Sequence, residues 1–176
     1  MRPLLALASV SLLAGGLLAT PAFAAGDGGS SGSNTPTCPR GKVYSPQKQM
    51  CVDAQSNLID DQSLTTYAYV LAKEGRYEEA LQTLDRLENP NTAEALNYRG
   101  YATRKLGRVE EGIGYYLKAV ALDPDYTLVR EYLGEAYLVK GDIASAKAQL
   151  VEIEKRCGTT CEPYGELAEA IAAAEI

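Results

Sequence analysis

Cys157 and Cys161 invite the sharpest chemical interpretation in this chain, because two thiols lie only four positions apart. Two thiolates at this spacing can exchange disulfides or share a soft metal ion such as copper. The supporting residues are missing, since the chain has no histidine and neither flank resembles the strand-to-helix setting that lowers the pKa of a reactive cysteine. We therefore predict a structural disulfide, and redox or soft-metal chemistry at Cys157 and Cys161 stays the alternative function.

Two pairs of neighbouring acids, Glu78–Glu79 and Glu110–Glu111, could in principle perform acid–base hydrolysis. Both pairs fall in the first turn of a predicted helix, where the helix dipole and the exposed amides favour negative charge. We interpret them as helix-terminal charges. Because histidine, the usual general base, is absent as well, we predict no catalytic residues, no cofactor and no enzymatic activity.

Length and charge exclude further classes of partner. The 176 residues are 46% apolar, which favours one compact unit of ordinary size. The formal net charge of −6 gives no overall positive field that would attract phosphate backbones or anionic lipid. We therefore expect no nucleic-acid partner.

The N-terminal residues have the pattern of a secretory signal peptide. Arg2 precedes an apolar run from Leu4 to Thr20, and the segment ends in Ala22-Phe23-Ala24, which offers small residues for cleavage after Ala24. The alternative is an uncleaved anchor. With cleavage, we expect a periplasmic or secreted chain without membrane insertion.

Export into an oxidising compartment allows the four cysteines to pair. Three connectivities are open. We choose local pairing, Cys38 with Cys51 and Cys157 with Cys161, because it closes the smallest loops. The segment between Cys38 and Cys51 is too short and polar to fold alone, so we expect a stapled hairpin whose crosslink contributes about 3 kcal/mol.

Three similar octets recur along the chain: Glu74–Leu81, Leu106–Ile113 and Lys140–Lys147, spaced 32 and 34 residues apart. Each has a glycine where one helix should end, a polar residue that can open the next helix, and a small residue five places after the glycine. Apolar residues recur at helical spacing on both sides of each octet. The predicted unit is helix, turn, helix.

These octets resemble the tetratricopeptide repeat family, and the resemblance covers about Asp61 to Thr160. The unit from Ala93 to Tyr126 fits the family pattern best. Its matching residues are Leu96, Gly100, Gly112, Tyr116, Ala119 and Pro124. The next unit departs from the pattern, with Arg130 at the large apolar position and Gly158 in place of the final proline.

The predicted fold is all-α: an α-solenoid of three helix–turn–helix units plus a C-terminal capping helix, preceded by a small disulfide-stapled hairpin. A lone helix pair cannot hide its apolar stripes from water, so stacked units and a cap are needed. The predicted segments are a signal peptide at 1–24, a Gly/Ser-rich linker at 25–37, a stapled segment at 38–58, repeats at 59–160 (units 61–92, 93–126 and 127–160) and a capping helix at 161–176.

The resemblance implies that first helices line a concave groove whose inward side chains contact a partner. The implied partner-binding residues are Tyr69, Asn97, Tyr101, Arg104, Lys105, Leu128, Glu131 and Glu135. Tyr69 and Tyr101 are expected to stack one repeat apart as a platform for an extended or helical segment, with packing between helices as the alternative. Asn97, Arg104 and Lys105 together can hold an acidic side chain of the partner.

The family's chaperone-type clamp for a terminal carboxylate needs lysine and asparagine on successive first helices, whereas the first unit here has Thr65 and Tyr69. Recognition of a chain terminus is therefore not expected. We predict an exported, monomeric interaction module that binds a segment of an envelope or secreted protein as an adaptor or assembly factor, without metal or cofactor. A structural spacer with no specific ligand is a further alternative.

Overall fold

Helices dominate the part of the chain that the computed structural model describes, which is residues 35–54 and 59–176. Seven helices lie in these ranges: α1 (Asp61–Lys73), α2 (Tyr77–Leu84), α3 (Ala93–Lys105), α4 (Val109–Leu122), α5 (Thr127–Val139), α6 (Ile143–Cys157) and α7 (Glu162–Ala174). The first six form three helix–turn–helix pairs, and α7 follows as a terminal helix. This confirms the predicted solenoid of three units with a cap.

The predicted signal peptide at 1–24, its cleavage after Ala24 and the linker as far as residue 34 lie outside the described residues. None of the helices within 35–54 and 59–176 is long and apolar enough to cross a membrane.

The glycine of each octet makes the turn within its repeat. Gly75, Gly107 and Gly141 have φ values of 77°, 84° and 77°, in the left-handed region where a side chain would be strained. In the first turn, the backbone nitrogen of Arg76 donates to the carbonyl of Leu71 at 2.9 Å, which satisfies a carbonyl left free by the end of α1. The repeated glycine therefore sets where each first helix stops and where the second begins.

A small antiparallel hairpin covers the start of the helical array. Its strands are β1 (Lys42–Ser45) and β2 (Met50–Asp53), and the Cys38–Cys51 disulfide closes it as predicted. The backbone nitrogen of Cys38 donates to the Tyr67 hydroxyl of α1 at 2.8 Å. Because the hairpin packs on α1, it shields an end of the array that would otherwise meet water.

At the other end, α7 packs against α5 and α6. A small cluster of Ala146, Ile153, Leu167 and Ile171 forms the core there. A Cβ atom at Gly134 of α5 would lie 2.5 Å from Leu167 Cδ2, so glycine allows the close approach of α5 and α7. The Cys157–Cys161 disulfide, also as predicted, joins the last turn of α6 to the residue that precedes α7.

The residues that depart from the repeat pattern have structural roles. Arg130 is buried, and its Nε and Nη2 donate to the Pro124 carbonyl at 3.1 and 2.9 Å. Arg156 Nε donates to the same oxygen at 2.6 Å. Gly158, with φ 78°, ends α6 where the family pattern has proline.

Candidate partner-binding face

The first helices α1, α3 and α5, followed by α7, lie side by side and present one continuous surface, which we call the first-helix face. It carries Gln62, Tyr69, Lys73, Glu94, Lys105, Leu128, Glu131, Glu135, Leu138, Glu162 and Glu166. Side chains link its neighbouring helices. Gln62 Nε2 donates to Glu94 Oε2 at 3.4 Å between α1 and α3, and Arg104 pairs with Glu135 between α3 and α5.

The two tyrosines predicted as a platform pack on other rings. Tyr69 is half-buried, and its ring centre lies 4.8 Å from that of Tyr98. Tyr101 is only 6% exposed, and its ring centre lies 5.2 Å from that of Tyr132 and 6.5 Å from that of Tyr77. Tyr101 thus packs between helices, the alternative open for it from the sequence, whereas Tyr69 keeps an exposed part.

Three cations surround the Tyr101 ring. Lys105 Nζ lies 5.4 Å from the ring centre, the Arg104 guanidinium 5.7 Å and Lys73 Nζ 5.8 Å. At these distances the negative face of the ring attracts each cation. The Lys73 and Lys105 side chains remain exposed, so the α1–α3 part of the face is positively charged.

Arg104 forms an ion pair with an acidic residue of the same chain. It is 8% exposed, its Nη2 donates to Glu135 Oε2 at 2.5 Å, and its Nε donates to the Tyr116 hydroxyl at 3.4 Å. Burial acts to lower the pKa of Arg104, but Tyr116 and Glu135 outweigh it, so the pKa is raised. A partner carboxylate would have to compete with Glu135 for this guanidinium.

Asn97 is fully buried and donates from Nδ2 to the Tyr126 hydroxyl at 3.2 Å. Burial raises the pKa of Tyr126 to about 12, so the hydroxyl stays protonated. Of the three residues predicted to hold an acidic side chain, Asn97 and Arg104 have partners within the chain and Lys105 is exposed.

The α5–α7 part of the face is acidic. Glu131 is 6% exposed, and burial is the main cause that raises its pKa to about 8, with Glu135, Glu166 and Glu162 adding to the rise and Lys73 opposing it. Glu131 is therefore mostly protonated at pH 7. Leu128, one turn earlier on α5, is half-buried and gives this region an apolar border.

Sequence reasoning missed Lys73, Glu162 and Glu166 of this face, and it missed Tyr98 and Tyr132, on whose rings Tyr69 and Tyr101 pack. The sequence does not distinguish these two tyrosines from ordinary packing residues, because the contacts between tyrosine rings depend on side-chain rotamers. The two acids had a signal: continuing the 34-residue spacing places Glu162 at the position of Leu128 and makes α7 a further first helix.

Cys157 and Cys161 border the small core under α7. Their disulfide fixes the connection between α6 and α7, which is a structural role. Within residues 35–54 and 59–176, no group of three or more histidine, cysteine or acidic side chains is arranged to hold a metal ion.

Comparisons with known proteins agree with this architecture. The sequence model of the tetratricopeptide repeat matches residues 93–126, the unit that fits the family pattern best. No curated protein matched the chain. Among solved structures, the Yersinia enterocolitica type III secretion chaperone SycD, in complex with a peptide of the translocator YopD, is similar with a TM-score of 0.57 at 17% identity, over 68% of this chain and 97% of that one.

Two other solved structures share the fold at similar levels. The first tetratricopeptide repeat domain of human RPAP3 gives a TM-score of 0.55 at 20% identity, over 65% of this chain and 94% of that one. PcrH in complex with the chaperone binding region of PopD gives 0.54 at 17%, over 65% and 87%. Residues 93–126 thus match the tetratricopeptide repeat, and the described helices share the fold of these solved structures.

Proposed function

We propose that this chain is an exported interaction module whose first-helix face binds a segment of another envelope or secreted polypeptide, as an adaptor or assembly factor. The observation that carries the proposal is the composition of that face. An aromatic ring at Tyr69, cations at Lys73 and Lys105, an apolar border at Leu128 and an acid at Glu135 all keep exposed or partly exposed area on adjacent helices. On a mixed surface of this kind, buried apolar and aromatic area gives affinity for a peptide, and the charged side chains fix which peptide residue lies at which position.

The structural relatives support a peptide as the partner. SycD was solved with a peptide of the translocator YopD, and PcrH with the chaperone binding regions of PopD and PopB. These proteins and the present chain share the fold, so a peptide-binding role is a consistent use of it. We do not assign a catalytic step to any residue of the face.

The two disulfides support the exported location. Disulfides persist in oxidising compartments such as the periplasm or the extracellular space and are rare where thiols are kept reduced. Together with the signal-peptide pattern at 1–24, they favour a periplasmic or secreted protein. We propose that it acts as a monomer, because the hairpin and α7 cover the two ends of the array.

Site-specific crosslinking tests the proposed function. A photoreactive amino acid at Lys105, on the first-helix face, is compared with one at Lys118, an exposed position on the second helix α4. After irradiation of native cells, mass spectrometry identifies the crosslinked chains. We expect Lys105 to crosslink a defined polypeptide that Lys118 does not reach. Equal crosslinking from both positions, or none from Lys105, would contradict binding at this face.

A further inference from the structure

Building on the proposed function, we propose that the α5–α7 end of the first-helix face is a subsite for one basic side chain, lysine or arginine, of the bound segment, and that the Glu131 carboxylate accepts its hydrogen bonds. The sequence pattern implied only that Glu131 faces a partner. The structure adds the chemistry of the group that would meet it.

Glu131 has no partner for its carboxyl group. The residue is only 6% exposed, and within residues 35–54 and 59–176 it has neither a hydrogen-bond donor nor an ion-pair partner. Its carboxyl oxygens are not among the fully enclosed unpaired atoms, so they keep some contact with solvent. The nearby cation of α3, Arg104, is bound to Glu135 instead. A buried carboxyl that lacks a partner is costly in a folded protein, and such groups are concentrated at binding sites.

The charges around Glu131 select for a cation. Glu135 lies one turn further along α5, and Glu162 and Glu166 act on Glu131 from α7. Glu162 and Glu166 are themselves exposed. Lys73 of α1 is the opposing cation, and it acts more weakly than the three acids together. An entering ammonium or guanidinium group would therefore meet a net negative field and a charge-assisted hydrogen bond.

The part of α7 that carries Glu162 and Glu166 is open to solvent. A Cβ atom at Gly165, between them in sequence, would meet no atom within 4 Å. Leu128 and Leu138 are half-buried on α5, on either side of Glu131 along the helix. Apolar borders suit the aliphatic stem of lysine or arginine while its charged end reaches the carboxylate.

Binding at this subsite is coupled to a proton. The groups that face Glu131 are Glu135 on its own helix, Tyr132 beside it, Glu162 and Glu166 on α7 and Lys73 on α1. Near neutral pH the Glu131 proton must leave to the solvent when a cation binds. Affinity for a basic segment is therefore expected to rise as the pH is raised towards 8, by up to about tenfold per pH unit.

The experiment starts from a random dodecapeptide display library, selected against the full chain with its disulfides intact. We expect the selected peptides to share a lysine or arginine at one position. A synthetic peptide from the selection, and a copy with glutamine at that position, are then measured by titration calorimetry against the wild type, Glu131→Gln and Glu154→Gln. Glu154 is an exposed acid on α6 and serves as the matched control.

The replacement of the basic residue should weaken binding at least tenfold to the wild type and to Glu154→Gln, but less than threefold to Glu131→Gln. Proton release, measured in two buffers of different ionisation enthalpy, should disappear with Glu131→Gln. Peptides that bind with no basic preference, or with equal losses in all three proteins, would overturn the subsite and leave the proposed function standing. If no peptide is selected, both fail.

Discussion

Gly100 and Gly114 provide a matched pair for testing how closely the helices of the middle repeat approach each other. Both lie inside helices, Gly100 on α3 and Gly114 on α4. A Cβ atom at Gly100 would lie 2.6 and 2.7 Å from two ring carbons of Tyr116 and 3.1 Å from the Gly112 carbonyl oxygen. A Cβ atom at Gly114 would meet nothing within 4 Å. The same substitution, to alanine, therefore has opposite expected effects.

The magnitudes follow from two opposing contributions. Alanine in place of glycine stabilises a helix interior by about 1 kcal/mol, and this applies at both positions. Carbon atoms pack at about 3.5 to 4 Å, so Gly100→Ala forces a shift of roughly 1 Å on Tyr116, whose side chain is fully buried. Overpacking of this kind costs about 1–3 kcal/mol and more where the neighbour cannot move. We expect Gly114→Ala to stabilise by about 0.5–1 kcal/mol and Gly100→Ala to destabilise by about 1–3 kcal/mol.

Urea unfolding, followed by circular dichroism at 222 nm with the disulfides intact, measures the difference. The midpoint of Gly114→Ala should lie above that of the wild type, and the midpoint of Gly100→Ala should lie below it. Should the two variants shift the midpoint in the same direction and to the same extent, the close contact between α3 and α4 would not have the strength inferred here.

Three further changes test other parts of the molecule. Because the pKa of Glu131 is raised from 4.5 to about 8, its contribution to stability is complete below about pH 4.5 and is lost as the pH rises through 8. Glu131→Gln should therefore gain about 4 kcal/mol on the wild type between pH 5 and pH 9 in urea unfolding, and parallel curves would contradict the burial of this group. Arg104→Met leaves Glu135 without its partner and should cost about 2–3 kcal/mol, much of which the added change Glu135→Gln should restore in a double-mutant cycle. Replacing Cys157 and Cys161 by serine should cost about 2 kcal/mol and increase hydrogen exchange in α7 first; faster exchange in α1 instead would argue against a local structural role.

Features set by local backbone geometry were predictable from the sequence. The octet glycines identified the turns, because Gly75, Gly107 and Gly141 are needed where φ is positive. The pairing of Cys38 with Cys51 was predictable for a related reason, since the segment between them closes a small loop. Helix order and the C-terminal cap followed from the period and the apolar stripes.

Contacts between residues distant in sequence were not predictable in the same way. Arg104 and Glu135 lie 31 positions apart, and nothing in the spacing indicates that the arginine binds this glutamate rather than a partner. The burial of Tyr101 depends on its ring meeting Tyr132 from the next first helix. The repeat pattern fixes which side of a helix a residue lies on, but not how much of it neighbouring side chains cover.

The hairpin covers one end of the array and α7 covers the other. This limits the length of a segment that fits along the first-helix face. With α1, α3, α5 and α7 side by side at about 8–10 Å per helix, the surface between the outer axes spans about 30 Å. That distance accommodates roughly nine residues of an extended strand, or about twenty of a helix. Because further repeats cannot be added to either end without removing its cover, the length of the first-helix face is fixed.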